Sequence, residues 1–364
     1  MVSTLVEIGI LFMNNRIAFI DIAKAIAIVA VISGHTAIRF LNTGSGAWFV
    51  FAFTFTFHLP VFFLTSGYFL HIDKPFDYIK EIKNLIIPYV ISSVLIAAAA
   101  CISNFYIQDM GSSKQLLKDW LSAGVYGTGD IPSSDTAIWP LKVRIGGIWF
   151  LLALFWARLI VCRSYNSGHP FLIVIISFIF GLLSSRYIFL PFDIQSGMCA
   201  APFVFLGTYA RQRLWLTEES KLPLLLPFML LVWIWAIVGF NGFSMAMCLY
   251  GNTIIDLIRN IAGALFGSLS VIFLLQLIER NRFYIPVFWH FLSRIGSLTL
   301  YILIVHIAED DIVRWNLIVG NVSSQGMSFA WLGILLLRVI IDTILAVLLR
   351  GLISKIKIYA KKSV

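Results

Sequence analysis

Arg16-Ile17-Ala18-Phe19-Ile20-Asp21-Ile22-Ala23-Lys24-Ala25-Ile26-Ala27-Ile28-Val29-Ala30-Val31-Ile32-Ser33-Gly34-His35-Thr36 is a stretch of membrane-spanning length with an acid, a base and a histidine inside it. Ionisable groups at bilayer depth cost at least about 2.5–3.5 kcal/mol each, so they face a protein interior or a watery cavity. Asp21 and His35 are fourteen residues apart, close to four helical turns, so both project from one face. At 1.5 Å per residue they are also about 21 Å apart along the axis. Asp21 therefore cannot orient His35 as a triad carboxylate would, and the face carries two separate tasks, one near each end.

The rest of the chain has the same character. It is 60% hydrophobic and 12% charged over 364 residues, with a mean hydropathy of +0.91. Soluble domains are nearer half apolar and a quarter charged, so this is an all-α polytopic membrane protein. Its formal charge of +9 does not argue for nucleic acid, because the basic residues fall in short loops between apolar runs. Cys101, Cys162, Cys199 and Cys248 sit in apolar sequence without metal-type spacing. They read as buried thiols, with a disulfide among those nearer the outer face left open.

Apolar runs long enough to span occur at about 17–40, 48–70, 85–106, 146–163, 170–189, 198–214, 222–241, 253–278, 291–308 and 328–350. They predict about ten transmembrane helices. With the N-terminus inside, one face receives Arg16, Lys74, Lys80, Lys83, Arg158, Arg163, Arg211, Arg213, Lys221, Arg280, Arg282, Arg294, Arg350, Lys355, Lys357, Lys361 and Lys362. The other receives Arg39, Lys114, Lys118, Lys142, Arg144, Arg186 and Arg314, which is seventeen against seven. This bias predicts N-in, C-in topology. The chain reads as one membrane domain over 1–364, with residues 1–12 a dispensable extension ahead of a natural-looking start at Met13.

One loop is long, 107–145 on the outer face, and is either a lid or a connector. Within it Ser112-Ser113-Lys114-Gln115 predicts a helix start with a capping box. Gly263-Ala264-Leu265-Phe266-Gly267 predicts a close helix contact. Asn321-Val322-Ser323 matches a glycosylation sequon.

Topology sorts the six histidines. His71, His169 and His290 fall at cytoplasmic ends or loops, whereas His35, His58 and His306 lie within spans and suggest a polar cavity. The bland alternative for His58 and His306 is a neutral histidine hydrogen-bonded between helices. Histidine suits acyl transfer as general base or acyl carrier. No Gly-x-Ser-x-Gly, HExxH or Walker sequence is present, and no metal is expected. The other intramembrane charges come as Asp21/Lys24, Asp256/Arg259 and Arg338/Asp342, at spacings that allow mutual neutralisation.

Asp21-Ile22-Ala23-Lys24 through Ser33-Gly34-His35 resembles the first-helix signature of the acyltransferase 3 family of integral membrane acyltransferases. Phe57-His58-Leu59-Pro60 through Ser66-Gly67-Tyr68-Phe69 resembles its second-helix motif. Ile148-Trp149-Phe150-Leu151 and Tyr301 through His306 resemble its later marks, and the nearest likeness is to the fucose 4-O-acetylase-like branch. Several relatives have Arg where Lys24 stands, and many have Gly at Ala25. The resemblance implies transfer of an acyl group, usually acetyl from cytoplasmic acetyl-CoA, to a hydroxyl of a cell-surface glycan or its lipid-linked precursor at the inner membrane. It implies His35 as the catalytic residue and places Lys74, Lys80 and Lys83 at the donor. A basic cytoplasmic face would independently suit CoA phosphates.

The expected site is therefore His35 with Asp21 and Lys24 at the donor end of the same helix. His58, Ser66, Trp149 and His306 are expected around the cavity, and Lys74, Lys80 and Lys83 on the acyl donor. A donor held at the cytoplasmic face must reach far into the bundle, by a threaded pantetheine arm or by a relay. The rival from another class is a transporter or flippase for a glycolipid or anionic metabolite, which would show internal repeats. A third reading is a non-catalytic partner in polysaccharide assembly.

Overall fold

The computed structural model describes residues 17–42, 46–107, 112–217, 219–313, 315, 317–319 and 329–362. Residues 1–12, Arg16, Arg314 and the sequon at 321–323 lie outside them. The described chain is helical, with two isolated β-bridges and no strand. In order, the helices are α1 (Ala18–Ile38), α2 (Ala47–Phe55), α3 (His58–Tyr68), α4 (Tyr78–Glu81), α5 (Ile87–Ile107), α6 (Ser113–Tyr126) and α7 (Trp149–Asn166). They continue as α8 (Pro170–Ser184), α9 (Ile194–Gln212), α10 (Leu226–Val238), α11 (Ile254–Arg280), α12 (Pro286–Gly296), α13 (Thr299–Ile312) and α14 (Ala330–Lys362). Each of the ten apolar runs holds at least one helix. By length and apolarity six spans qualify, or seven if the α12–α13 pair, bent by 62°, counts as one. Helix α8 and the segment Leu222–Val238 are apolar but shorter.

Helix α1 sits in the middle. Of its span 72% is buried, against 17% for α14 at the periphery, and it packs on α2, α3, α11, α12, α13 and α14. Small residues at Ala23, Ala25, Ala27 and Ala30 keep it thin enough for so many neighbours.

The second span is broken between α2 and α3. Pro60 lacks an N–H to bond the carbonyl of Thr56 and its ring crowds that carbonyl, which favours a break here, although α9 continues through Pro202. The break is held from outside: Trp233 of α10 donates to Thr56 Oγ1 at 2.8 Å, and Ser268 of α11 donates to the Phe57 carbonyl at 3.4 Å. Gly263 and Gly267 face Ala236 and Trp233, so the small-residue pair seats α11 on α10. Before α5 the chain makes one π-helical turn, Ile82–Ile86.

Residues 112–145 of the long outer segment are folded back onto the bundle. Ser112 caps α6 by accepting from Gln115 N at 3.3 Å. The reciprocal half of the expected capping box is replaced, because the Gln115 side chain donates to Asp119 at 2.8 Å instead. Tyr126, fully buried, donates to the Phe189 carbonyl and ties α6 to the loop before α9. Cys162, Cys199 and Cys248 are buried free thiols; Cys101 is half-buried.

Candidate active site

His35 occupies the last turn of α1, half-buried, and faces a cavity of about 530 Å³. Its neighbour Gly34 sets this up. A Cβ there would lie 2.7 Å from Thr54 Oγ1 and 2.8 Å from the Phe55 ring, so only glycine lets α1 approach α2 so closely. Across that contact Phe55 flanks both His35 and His58, with ring centroids 6.4 and 5.0 Å away. His58, at the start of α3, is buried, and its Nδ1 is bound to the Thr54 carbonyl at the break in the span. A carbonyl only accepts, so His58 carries its proton on Nδ1 and keeps Nε2 as an acceptor.

Behind His35 runs a chain of buried contacts. His306 Nε2 is 3.3 Å from His35 Nδ1, and His306 Nδ1 is 2.9 Å from Asp342 Oδ2. His306 and Asp342 are both fully buried. With Asp342 ionised its carboxylate only accepts, which places the His306 proton on Nδ1 and makes its Nε2 an acceptor. That in turn draws the His35 proton to Nδ1 and leaves the His35 Nε2 lone pair as the free nitrogen of the ring at the cavity. The geometry orders the three groups in one line that ends at the cavity.

Two expectations change here. Arg338 and Asp342 do not neutralise one another. Arg338, 1% exposed, is bound to Glu309 Oε2 at 2.7 Å, Asp310 Oδ1 at 2.6 Å and Thr36 Oγ1 at 3.1 Å, while Asp342 is turned to His306. Spacing along α14 cannot register acids arriving from α13. His306 also does not line the cavity; it stands behind His35 and acts on it from the rear. Asp21/Lys24 and Asp256/Arg259 do form their local pairs, at 2.6 and 3.3 Å.

Residues with no assigned part in the sequence reading complete the site. Asp310 pairs with Arg39 at 2.9 Å and lies 3.9 Å from Arg144. Asp311, next in line, faces the cavity. The signal was available: Glu309-Asp310-Asp311 is an acidic run directly after an apolar span, and α13 extends far enough to carry it inside. The remaining walls come from Gly129 and Asp130 of the folded-back segment, from Gly147 in the turn before α7, and from residues between Asn241 and Asn252. The 107–145 segment thus borders the site. His306, Glu309 and Asp342 form the one trio with metal-type spacing among the described residues, within 4.8 Å. Arg338 already holds Glu309, and its guanidinium would oppose a cation there.

The family model described as an acyltransferase domain, acyltransferase 3, matches residues 17–349, from the start of α1 nearly to the end of the described chain. The chain belongs to the acyltransferase 3 family. No match was found among curated proteins or among solved structures.

In this membrane acyltransferase the other singled-out residues fall into distinct places. Trp149 lines the cavity. Ser66 does not; its hydroxyl accepts from Arg158 Nη1 at 2.8 Å, and Arg158 is paired with buried Glu81 at 2.7 Å. Asp21 and Lys24 lie at the opposite end of α1 from His35, with Gly296 of α12 packed against the Asp21 backbone. Lys74, Lys80 and Lys83 are exposed around the π-helical turn. That turn carries Asn84 and Leu85 into a second, apolar cavity of about 170 Å³, lined also by Ile28, Val31, Phe62, Phe150 and Leu303. Leu59 borders both cavities. His71, His169 and His290 are exposed.

Proposed function

We propose that this acyltransferase moves an acetyl group from acetyl-CoA to a hydroxyl of a cell-surface glycan or its lipid-linked precursor, with His35 as general base. The observation that carries this reading is the chain Asp342–His306–His35 ending on a free Nε2 at a polar cavity. In the step, the acceptor oxygen bonds to the thioester carbonyl carbon and its proton passes to His35 Nε2. The C–S bond breaks, and the proton then goes to the leaving CoA sulfur, so that thiol and ester are the products. His58, with Nε2 as acceptor on the other side of Phe55, is the second group able to orient the hydroxyl.

The donor side is read from charge and shape. Lys74, Lys80 and Lys83 suit the CoA phosphates on a cytoplasmic face. The apolar cavity beside Asn84 and Leu85 gives a threaded pantetheine arm a route inward, meeting the catalytic cavity at Leu59. Asp21 and Lys24, about 21 and 16.5 Å from His35 along α1, organise that donor end and take no part at the reacting atoms.

The test is substitution of His35. His35→Gln and His35→Ala are expected to accumulate in the membrane near wild-type levels and to lose acetyl transfer by about 10²–10⁴-fold, while exposed His71→Gln stays active. Acetyl ester content of purified surface polysaccharide is measured alongside membrane protein level. Retained acetylation in His35→Gln overturns the assignment.

A further inference from the structure

The cavity contains a carboxylate that the base chain does not use. Asp311 lines the cavity and makes no hydrogen bond or ion pair among the described residues, and its Oδ2 is buried without a partner. Its neighbour Asp310 is consumed by Arg39, Arg144 and Arg338. The backbone of Gly146 packs directly against Asp311 Oδ2. Gly146 stands at φ 67°, and a Cβ at that position would lie 3.1 Å from Asp311 Oδ2 and 2.8 Å from Ile307. Any side chain there would sit on the carboxylate. Buried polar atoms are nearly always paired, so an orphan at a cavity wall points to a ligand that supplies the donor.

The surroundings narrow the donor's chemistry. Arg39 and Arg144 share this wall, so a cationic ligand would meet guanidinium groups as well as carboxylates. A neutral O–H suits the site better. Asp130, Asn241, Ser244 and Asn252 add further polar groups, and Phe55 and Trp149 offer flat apolar faces. That combination matches a sugar ring, which is polar at its rim and apolar across its C–H faces. A carboxylate acceptor also matches a hydroxyl that must be held rather than acylated.

Resting on the acetyl-transfer reading above, we propose that Asp311 accepts a hydrogen bond from a hydroxyl of the acceptor sugar next to the one being acylated. It thereby restricts the enzyme to acceptors with vicinal hydroxyls. Asp311 is then a specificity-determining residue, separate from the base.

The experiment uses the full chain in proteoliposomes with labelled acetyl-CoA and a panel of methyl hexopyranosides. For each sugar acetylated, the monodeoxy analogues flanking the acetylated position are compared. In wild type, loss of one flanking hydroxyl is expected to lower kcat/KM by about 10- to 100-fold, the range for a hydrogen bond to a charged group. Asp311→Asn and Asp311→Ala should show that loss on the parent sugar and at most about a further 3-fold on the deoxy sugar, the non-additivity of a shared contact. Activity on the deoxy sugar close to wild type also certifies the variants as folded. Additive losses overturn the role of Asp311 and leave acetyl transfer standing. Failure of wild type to acetylate any sugar in the panel overturns the sugar-hydroxyl reading, and this inference with it.

Discussion

Asp342→Asn isolates the rear of the base chain. The substitution keeps size and shape but removes a negative charge 2.9 Å from His306 Nδ1. His35 and His306 have ring centroids 5.2 Å apart, which puts the Asp342 charge about 9 Å from the His35 ring. At an effective dielectric of about 20, that charge stabilises a protonated His35 by about 2 kcal/mol, or about 30-fold in rate. A second loss follows if the new amide donates to His306 Nδ1, because the proton order along the chain then reverses and His35 Nε2 carries hydrogen. The total is expected between about 30-fold and the 10²–10⁴-fold typical of losing a general base. Asp342 Oδ1 is buried with no partner, so the carboxylate is an incompletely satisfied anchor whose loss costs at most about 1–3 kcal/mol. The assay is CoA release from acetyl-CoA with acceptor in proteoliposomes, with thermal stability of the detergent-solubilised protein measured in parallel. Transfer within about 3-fold of wild type by a stably folded Asp342→Asn would refute the base chain. Equal loss in thermal stability and activity would show that Asp342 is only structural.

Arg338→Met should prevent accumulation of folded protein: it leaves Glu309 and Asp310 buried beside one another without their shared cation, and breaking a buried pair costs about 3–5 kcal/mol. Membrane levels and thermal stability near wild type would contradict that. Replacing Lys74, Lys80 and Lys83 together with Gln should raise KM for acetyl-CoA while kcat changes little, because exposed charges are individually worth less than about 1 kcal/mol. A C-terminal reporter must first show unchanged orientation. Unchanged donor KM in that protein would mean the loop only directs topology.

The membrane class, the helical architecture and the importance of the first span were legible in the sequence, for a physical reason. A charge in an apolar run is expensive wherever the chain goes. Asp21, Lys24 and His35 are signals of that local kind. So are the i, i+3 pairs Asp21/Lys24 and Asp256/Arg259, whose partners ride on the same helix. The break at Pro60 in the 48–70 run, by contrast, was not read from the sequence.

Which charge meets which across helices was not legible. Arg338 and Asp342 look like a pair along α14, yet α13 brings Glu309 and Asp310 to one of them and His306 to the other. His306 and His35 are 271 residues apart and touch only because α13 and α14 both pack on α1. The same holds for the orphan oxygen of Asp311: its neighbour Asp310 holds the arginines, and Gly146 packs against it with no side chain to offer a donor. Helix periodicity fixes which residues share a face. Only the packing of faces against one another decides whether a buried acid meets an arginine, as Asp310 does, a histidine, as Asp342 does, or a cavity wall, as Asp311 does.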